Sequence, residues 1–214
     1  MANTDPSIGL IAYVHSLGLK FGLYTSAGDI NCSGTNWPGS YGYEATDSAK
    51  FLAWGVDYVK VDWCASSALQ SQLTAQGCDF YSQCFIKKES NLWRKYMGSN
   101  VVLSISASGA GAPWQLYNDP LAPTMWRTGH DIDAAWATAL PPAPGDILYI
   151  INQTHLQESL PYLGYSYQSN GHWSDPDMLE VGVPAVNGRP GLTFDEAKSH
   201  FSLWSSYPPS VIFL

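Results

Sequence analysis

The sequence has few charged residues, and basic residues are scarcest. Charged side chains make up 13% of the 214 residues, and 18 acidic against 10 basic residues give a formal net charge of −8. A surface that binds nucleic acid needs clustered Lys and Arg to neutralise the phosphates. The composition therefore predicts that nucleic acid is not a partner.

Long apolar runs and a targeting segment are also absent. No stretch of the sequence approaches the 20 or so apolar residues of a membrane-spanning helix, so we expect no membrane partner. The N-terminal "MANTDPSIG" has neither the charge nor the apolar run of a leader, and we expect any export signal to lie on sequence outside this chain. The length suits one domain, and we expect a single domain over residues 1–214.

The four cysteines lack the spacing of a metal site, because even Cys78 and Cys84 are six residues apart without further ligands nearby. Two disulfides are the favoured use, and Cys78 and Cys84 are expected to pair locally. Disulfides indicate an oxidising compartment, which the glycosylation-type triplets at Asn31 and Asn152 support weakly. We therefore expect a secreted or extracytoplasmic protein, lysosomal or vacuolar if it is eukaryotic.

His130 beside Asp131 lacks second and third ligands at useful spacing, so no metal is expected, and no organic cofactor either. Aromatic residues, by contrast, are abundant at 14%, including nine Trp and thirteen Tyr. They suit either a large core or flat apolar platforms for sugars, and composition alone leaves both open.

Helical patterns alternate with short β-branched runs along the chain. A helix is expected from Asp5 to Gly18, and further helices are expected over 43–54 and from about Lys88 to Met97. Each leads into a predicted strand, over 19–24, 56–61 and 101–106 respectively.

Weaker repeats follow in the second half of the sequence. "PTMWRT" precedes a helix expected from about Asp133, and "DILYIINQ" near Asp146 and "GHWSDPDML" continue the alternation. A capping box, Thr193 with Glu196, is expected to open a helix to about Trp204, which leads into a final strand, "SVIFL".

This alternation predicts an α/β fold with a parallel sheet and helices outside it. The unusual polar residues follow the strands, where a (β/α)8 barrel has its active site. An open doubly wound sheet also binds ligands there, but no Gly-rich phosphate turn follows a strand. "GAGAP" at 109–113 lacks the spacing, so the barrel is favoured.

Asp62, at the end of "GVDYVKVDWC", and Asp131, in "WRTGHDID", both follow predicted strands. A single Asp at such a place is more often a cap or an ion-pair partner. Two carboxylates that flank a glycosidic bond, however, are the apparatus of sugar hydrolysis, in which one attacks the anomeric carbon and the other transfers protons.

Four ordered motifs carry a resemblance to a known family. The chain resembles glycoside hydrolase family 27, the α-galactosidase and α-N-acetylgalactosaminidase family, from about Ile11 to its end. The motifs are "KFGLYTSAGDINCSGTNWPGSYGYEATDSAKFLAWGVDYVKVDWC", "MWRTGHDID", "HWSDPDMLEVG" and "HFSLWSSYPPSVIFL".

The resemblance implies a role for each matching residue. Asp62 would be the nucleophile and Asp131 the acid/base, with no cofactor. Lys60 and Arg127 would bond sugar hydroxyls, and Tyr24 would line the pocket. Cys32 and Cys64 would form the family's disulfide, beside the nucleophile. Asp175 and Asp177 are expected mainly to support the site by accepting backbone N–H bonds, and His172 and His200 to pack or lie on the surface.

The sequence departs from the family in two places. Ser106, Ala107 and Ser108 replace the usual "C-E-W", whose glutamate contacts the substrate near its 2-position, so a different or N-acetylated sugar is an alternative. The first two strands of the barrel and the C-terminal β-domain have no counterpart, so a partial barrel of about six of the eight β/α units is expected.

The predicted function is therefore a retaining hydrolase that releases terminal α-D-galactosyl residues from a galactoside. The alternatives are the same machinery with another specificity, such as α-N-acetylgalactosaminidase, β-L-arabinopyranosidase or isomaltodextranase, or a non-catalytic sugar-binding remnant. The sequence does not predict an oligomeric state.

Overall fold

The computed structural model describes residues 9–116, 118–158, 171–185 and 188–207. The chain divides between Met125 and Trp126 into two compact units, each of which is described by itself. That the two form a single catalytic domain stays a prediction.

In its described residues, the first unit contains three regular strands, one of which ends at Asp62, together with four helices and a short hairpin. In chain order they are α1 (Leu10–Ser16), β1 (Gly22–Ser26), β2 (Ile30–Asn31), β3 (Gly34–Pro38), α2 (Glu44–Trp54), β4 (Tyr58–Asp62), α3 (Ser67–Ala75), α4 (Gln83–Met97) and β5 (Val102–Ser106), with a 3-10 turn at Pro113–Leu116.

The strands β1, β4 and β5 are parallel neighbours, with β4 in the middle. Ser26 pairs with Asp62 and Asp62 pairs with Ser106, so the three strands end at the same level. Each connection between them passes through helix, as parallel pairing requires. The predicted parallel α/β architecture is confirmed.

Alternation of side chains gives β4 and β5 two different faces. Val59, Val61, Leu103 and Ile105 are fully buried in one hydrophobic core with Trp93 of α4. Burial of such side chains contributes about 1.5 to 3 kcal/mol each, which fixes the register because a shift by one residue would bury the polar face instead. Asp62 therefore lies on the face opposite the helices.

The second unit contains β6 (Met125–Arg127, whose first residue belongs to the first unit), α5 (Ile147–Glu158), β7 (Trp173–Asp175) and α6 (Phe194–Ser206). Thr128 just past β6 donates its N–H to Asp175 O at 3.0 Å. The predicted capping box is confirmed: the Thr193 hydroxyl accepts from Glu196 N, and the Glu196 carboxylate accepts from Thr193 N. Trp204 of α6 is fully buried with Ile147 and Ile150 of α5.

The helix predicted from about Asp133 is wrong, and "DILYIINQ" does not continue the strand series. Residues 133–146 form turns and bends, and α5 begins at Ile147. Three prolines in "PPAPGD" remove backbone donors and exclude a helix there. The Asp146 carboxylate instead accepts from Thr138 N and Ala143 N, both at 2.8 Å, which closes the loop and positions the start of α5.

Other boundaries differ by a few residues. β1 begins three residues later than predicted and α4 five residues earlier, while α2 ends at Gly55 as expected. Gly55 has φ +81°, which favours glycine as a helix stop. The expected helix start at Asp5 and the expected final strand at 210–214 lie outside the described residues. Within the described residues, no helix combines the length and apolar character needed to cross a bilayer.

Candidate active site

Asp62, the predicted nucleophile, is the last residue of β4 and is half-buried. Its two carboxylate oxygens have different donors. The Tyr24 hydroxyl donates to Oδ2 at 2.6 Å, and the backbone N–H of Trp63 donates to Oδ1 at 2.9 Å. Two donors, one on the neighbouring strand and one in the next peptide, fix the plane of the carboxylate.

The register of the sheet explains why Tyr24 reaches Asp62. Tyr24 pairs with Lys60 and Ser26 pairs with Asp62, so all four side chains lie on one face of two adjacent strands. Tyr24 lies two residues before the end of β1, and its side chain is long enough to reach the Asp62 carboxylate at the end of β4. Two of the predicted site residues on this face, Tyr24 and Asp62, are thus brought into direct contact, and Lys60 lies beside them in register.

Ser26 anchors the end of β4 next to Asp62. Its hydroxyl donates to Cys64 O at 2.9 Å and accepts from Cys64 N at 3.1 Å. The Ala27 N–H donates to Asp62 O at 2.8 Å. These bonds hold the backbone from the Asp62 carbonyl to Cys64, a supporting role that the sequence did not reveal because Ser26 belongs to no catalytic pattern.

The hairpin of β2 and β3 is tied to the residues that follow Asp62. Cys32 and Cys64 form a disulfide with Cα atoms 5.3 Å apart. The Asp29 carboxylate accepts from Ser66 N at 2.8 Å and from the Ser66 hydroxyl at 2.5 Å. Burial acts to raise the pKa of Asp29, but the bonds from Ser66 outweigh it and hold the pKa below its usual value. Asp29 therefore stays ionised as a fixed anchor.

Two glycines allow the hairpin to pack directly on this segment. A Cβ at Gly28 would overlap Cys64 O, and a Cβ at Gly39 would overlap Gly28 O. The backbone just after β3 therefore packs against Gly28, and the backbone at Gly28 packs against Cys64, two residues past Asp62. The second disulfide, Cys78 with Cys84, closes a local loop with Cα atoms 5.7 Å apart.

The segment that departs from the family motif begins at Ser106, beside Asp62. Ser106 pairs with Asp62 in register and lies on the same face, while Ala107 is buried. Ser108 has φ +52°, so the chain turns sharply there. Ser104, two residues before Ser106, is fully buried and pairs with Lys60. The neighbours of Asp62 and Lys60 on β5 are therefore two small hydroxyl residues.

In the second unit, Arg127 is buried at the end of β6, with its side chain 1% exposed. Its Nη2 donates to His130 O at 2.7 Å and to Asp131 Oδ1 at 3.2 Å. Asp131, the predicted acid/base, has a side chain that is 93% exposed. Arg127 thus bonds both the loop that carries Asp131 and the Asp131 carboxylate itself.

Asp177 is the second carboxylate on Arg127. Its Oδ2 lies 2.7 Å from Arg127 Nη2 and accepts from Ile132 N at 2.9 Å. Asp177 has φ +78°, and its own N–H donates to Asp175 Oδ1 at 2.8 Å. Both aspartates therefore accept backbone N–H bonds, as expected. The Asp177–Arg127 pair was missed because 50 residues separate its members.

One histidine of the second unit is buried and another lies at the surface. His200 is fully buried, its Nε2 accepts from Glu180 N at 2.9 Å, and burial lowers its pKa to about 4. His130 is exposed, with its ring 6.2 Å from that of Tyr149. Over the described ranges, no three His, Cys, Asp or Glu side chains are grouped to hold a metal ion.

The chain is similar to known alpha-galactosidases over almost its whole length. The family model described as alpha galactosidase A matches residues 5–213. Alpha-galactosidase 2 of Arabidopsis thaliana is 34% identical over 206 residues, which cover 95% of this chain and 43% of that protein. Alpha-galactosidase A of Cellvibrio japonicus is 31% identical and covers 92% and 42% respectively.

Among solved structures, the α-galactosidase of Saccharomyces cerevisiae with raffinose superposes with a TM-score of 0.70. It is 26% identical, over 95% of this chain and 43% of that one. The fold of the chain is thus that of part of these proteins. This chain spans about 42% to 43% of the length of the two curated relatives named above.

Proposed function

Because the chain belongs to the alpha galactosidase A family, we propose that it carries the catalytic carboxylates of a retaining glycoside hydrolase for terminal α-D-galactosyl residues. The observation that carries the proposal is the setting of Asp62, whose two oxygens accept separate hydrogen bonds from Tyr24 and Trp63 N at the end of a parallel strand. A carboxylate fixed in this way is suited to nucleophilic attack.

Asp62 acts in the first step. One of its oxygens forms a bond to the anomeric carbon while the bond from that carbon to the leaving oxygen breaks, which inverts the configuration. Asp131 gives its proton to the leaving oxygen, so the leaving group departs as a neutral alcohol. The product of this step is a galactosyl ester of Asp62.

Water completes the reaction in the second step. Asp131, now a carboxylate, takes a proton from water as the water oxygen bonds to the anomeric carbon and the ester bond to Asp62 breaks. The second inversion restores the α configuration. The exposure of the Asp131 side chain supports this role, because water and leaving group both need access to it.

We assign sugar binding to Lys60, Tyr24 and Arg127. Lys60 and Tyr24 share the face of Asp62, which supports contacts to hydroxyl groups of the bound galactosyl unit. Nη2 of Arg127 is already bonded to the loop around Asp131, so Arg127 also orients that carboxylate. The two disulfides support an oxidising compartment, and we propose that the protein is secreted or otherwise extracytoplasmic.

A second specificity is favoured by one observation. Ser106 is the residue beside Asp62 in register, so no bulky or charged side chain occupies that position. The small residues Ser106 and Ala107, in place of the family's glutamate-containing motif, support a larger substituent on the sugar, such as an N-acetyl group. α-N-Acetylgalactosaminide is therefore the second candidate substrate, and the machinery would be the same.

The test is hydrolysis of nitrophenyl α-galactoside by the intact protein, followed by proton NMR. α-Galactose should appear first and mutarotate later to the β anomer. A panel of nitrophenyl glycosides, including the α-N-acetylgalactosaminide and β-L-arabinopyranoside, ranks the specificities by kcat/KM. β-Galactose as the first product would overturn the retaining mechanism. Galactose binding in calorimetry without any hydrolysis would instead favour a non-catalytic sugar-binding protein.

A further inference from the structure

We propose that Trp37, on the hairpin strand β3, is a stacking platform for the sugar that leaves when the glycosidic bond is cleaved. This inference rests on the proposed function and deepens it, because it identifies the leaving group as a sugar ring rather than an alkyl chain. Trp37 belongs to none of the catalytic or binding residues assigned above.

Trp37 is exposed on an otherwise anchored element. Its side chain is 61% exposed, although an indole is among the largest apolar groups a protein can bury. Single exposed apolar residues are common on protein surfaces, so exposure alone does not mark a site. What distinguishes Trp37 is the way its backbone is held.

The hairpin that carries Trp37 is fixed to the segment just after Asp62 in three ways. The disulfide joins Cys32 to Cys64, two residues past Asp62. Asp29 bonds Ser66, the N-cap of α3, through both carboxylate oxygens. Gly39, two residues after Trp37, packs on Gly28, which in turn packs on Cys64 O.

These anchors remove the freedom that a surface hairpin normally has. A recognition residue on a rigid support contacts its ligand with less loss of conformational entropy than one on a loose loop. Cys64, the residue that the disulfide joins to the hairpin, is also bonded to Ser26, which pairs with Asp62. The hairpin that carries Trp37 and the strand end that carries Asp62 are therefore held together at the carboxyl end of β1 and β4.

The chemistry of indole suits a pyranose ring. The negative face of the indole π system attracts the positively polarised C–H groups on the apolar face of a sugar, and the flat ring excludes water from that face. The galactosyl unit itself contacts the strand residues Tyr24, Lys60 and Asp62. Trp37 lies on an excursion beyond the strand ends, which suits the next sugar outward, the leaving group.

The experiment compares two substrates that differ only in the leaving group. Raffinose carries a disaccharide leaving group, whereas α-galactosyl fluoride releases fluoride and has no sugar at that position. In the intact protein, Trp37→Ala should lower kcat/KM for raffinose about tenfold, the size of one aromatic contact. It should leave kcat/KM for α-galactosyl fluoride unchanged, and Trp37→Tyr should restore part of the loss.

Tyr13→Ala is the matched control, because Tyr13 is 63% exposed but lies on α1, before the first strand. It should change neither substrate. Equal kcat/KM of wild type and Trp37→Ala on raffinose would overturn the inference, as would an equal loss on both substrates. A wild-type protein that does not hydrolyse α-galactosyl fluoride would instead contradict the proposed function, and the inference would fail with it.

Discussion

The Tyr24 hydroxyl donates a hydrogen bond of 2.6 Å to Oδ2 of Asp62. The two residues are on adjacent parallel strands, and the bond is made possible by the register that pairs Tyr24 with Lys60 and Ser26 with Asp62. A residue of the neighbouring strand therefore helps to orient the Asp62 carboxylate. If Asp62 is the nucleophile, Tyr24 contributes to the reaction without touching the bond that breaks.

Tyr24→Phe should therefore lower kcat/KM for nitrophenyl α-galactoside by about tenfold to a hundredfold, the value of a hydrogen bond to a charged group. The ring is retained, so packing should not change and the thermal midpoint should stay within about 2 °C of wild type. Tyr13→Phe, which removes the hydroxyl of an exposed tyrosine on α1, is the control. Unchanged kinetics in Tyr24→Phe would show that the orientation of Asp62 does not depend on this bond.

Removal of the two disulfides should lower the free energy of unfolding by different amounts. They close segments of 32 and 6 residues respectively. On the chain-entropy account, replacing Cys32 and Cys64 by Ser should cost about 4 kcal/mol, whereas replacing Cys78 and Cys84 should cost about 2 kcal/mol. Urea unfolding of the two double variants measures the difference.

Activity should separate the same two variants more strongly. Only the variant without Cys32 and Cys64 loses the covalent tie between the hairpin and the segment after Asp62, so it should lose kcat at temperatures where it is still folded. Equal kcat in both double variants would mean that the disulfide stabilises the fold but does not support the site.

A buried carboxyl on α4 should make stability depend on pH. Glu89 is fully buried, and burial, followed by the nearby Glu44 carboxylate, raises its pKa from 4.5 to about 8. The folded chain thus keeps a proton that the unfolded chain releases. The contribution of Glu89 to stability is full below pH 4.5 and is lost as the pH rises to about 8, with a slope of at most about 1.4 kcal/mol per pH unit.

Glu89→Gln should abolish this part of the pH dependence, since Gln cannot ionise. Urea unfolding at pH 5 and pH 8 measures it, with Asp195→Asn, an exposed carboxylate on α6, as control. His200, with its pKa lowered by burial to about 4, acts in the opposite sense below pH 6.5, but it is common to all three proteins. A Glu89→Gln profile parallel to that of wild type would show that Glu89 is charged in the folded state.

Of the two carboxylates bonded to Arg127, neutralising Asp177 should lower stability, whereas neutralising Asp131 should lower activity. Asp177 and Arg127 are both buried, so Asp177→Asn leaves the Arg127 charge without its buried partner and should cost about 3 kcal/mol or more. Asn tolerates the left-handed φ of this position, which keeps the backbone unstrained. Asp131 is exposed, so Asp131→Asn should change stability little while it removes the acid/base. Thermal unfolding beside kcat distinguishes the two, and similar stability losses would contradict this division of roles.

The sequence predicts the first unit better than the second, for physical reasons. The order of α2, β4, α4 and β5 follows from apolar periodicity and from glycines at helix ends, which act locally. α3 was missed although Ser66 caps it and Leu69 and Leu73 share its buried face, because five of its nine residues are Ser, Gln or Thr. The helix expected at Asp133 failed because three prolines outweigh the apolar spacing around them.

The candidate site divides in the same way. Asp62, Asp131 and the pairing of Cys32 with Cys64 follow from motifs, since each motif is a short contiguous segment. The contacts that support them join residues far apart in the chain, such as Asp177 with Arg127 and Asp29 with Ser66. Such pairs depend on the register of strands and on loop geometry, which one sequence does not encode in any local pattern.

The assignment of Asp62 as nucleophile and Asp131 as acid/base is tested most directly by azide rescue of the two alanine variants. In Asp62→Ala of the intact protein, turnover should be lost, and added azide should occupy the space of the missing carboxylate and attack the anomeric carbon. The single inversion gives β-galactosyl azide, identified by NMR. In Asp131→Ala, azide should attack the galactosyl ester and give the α-azide. β-Azide from Asp131→Ala, with Asp62→Ala inactive at all azide concentrations, would reverse the assignment and contradict the mechanism.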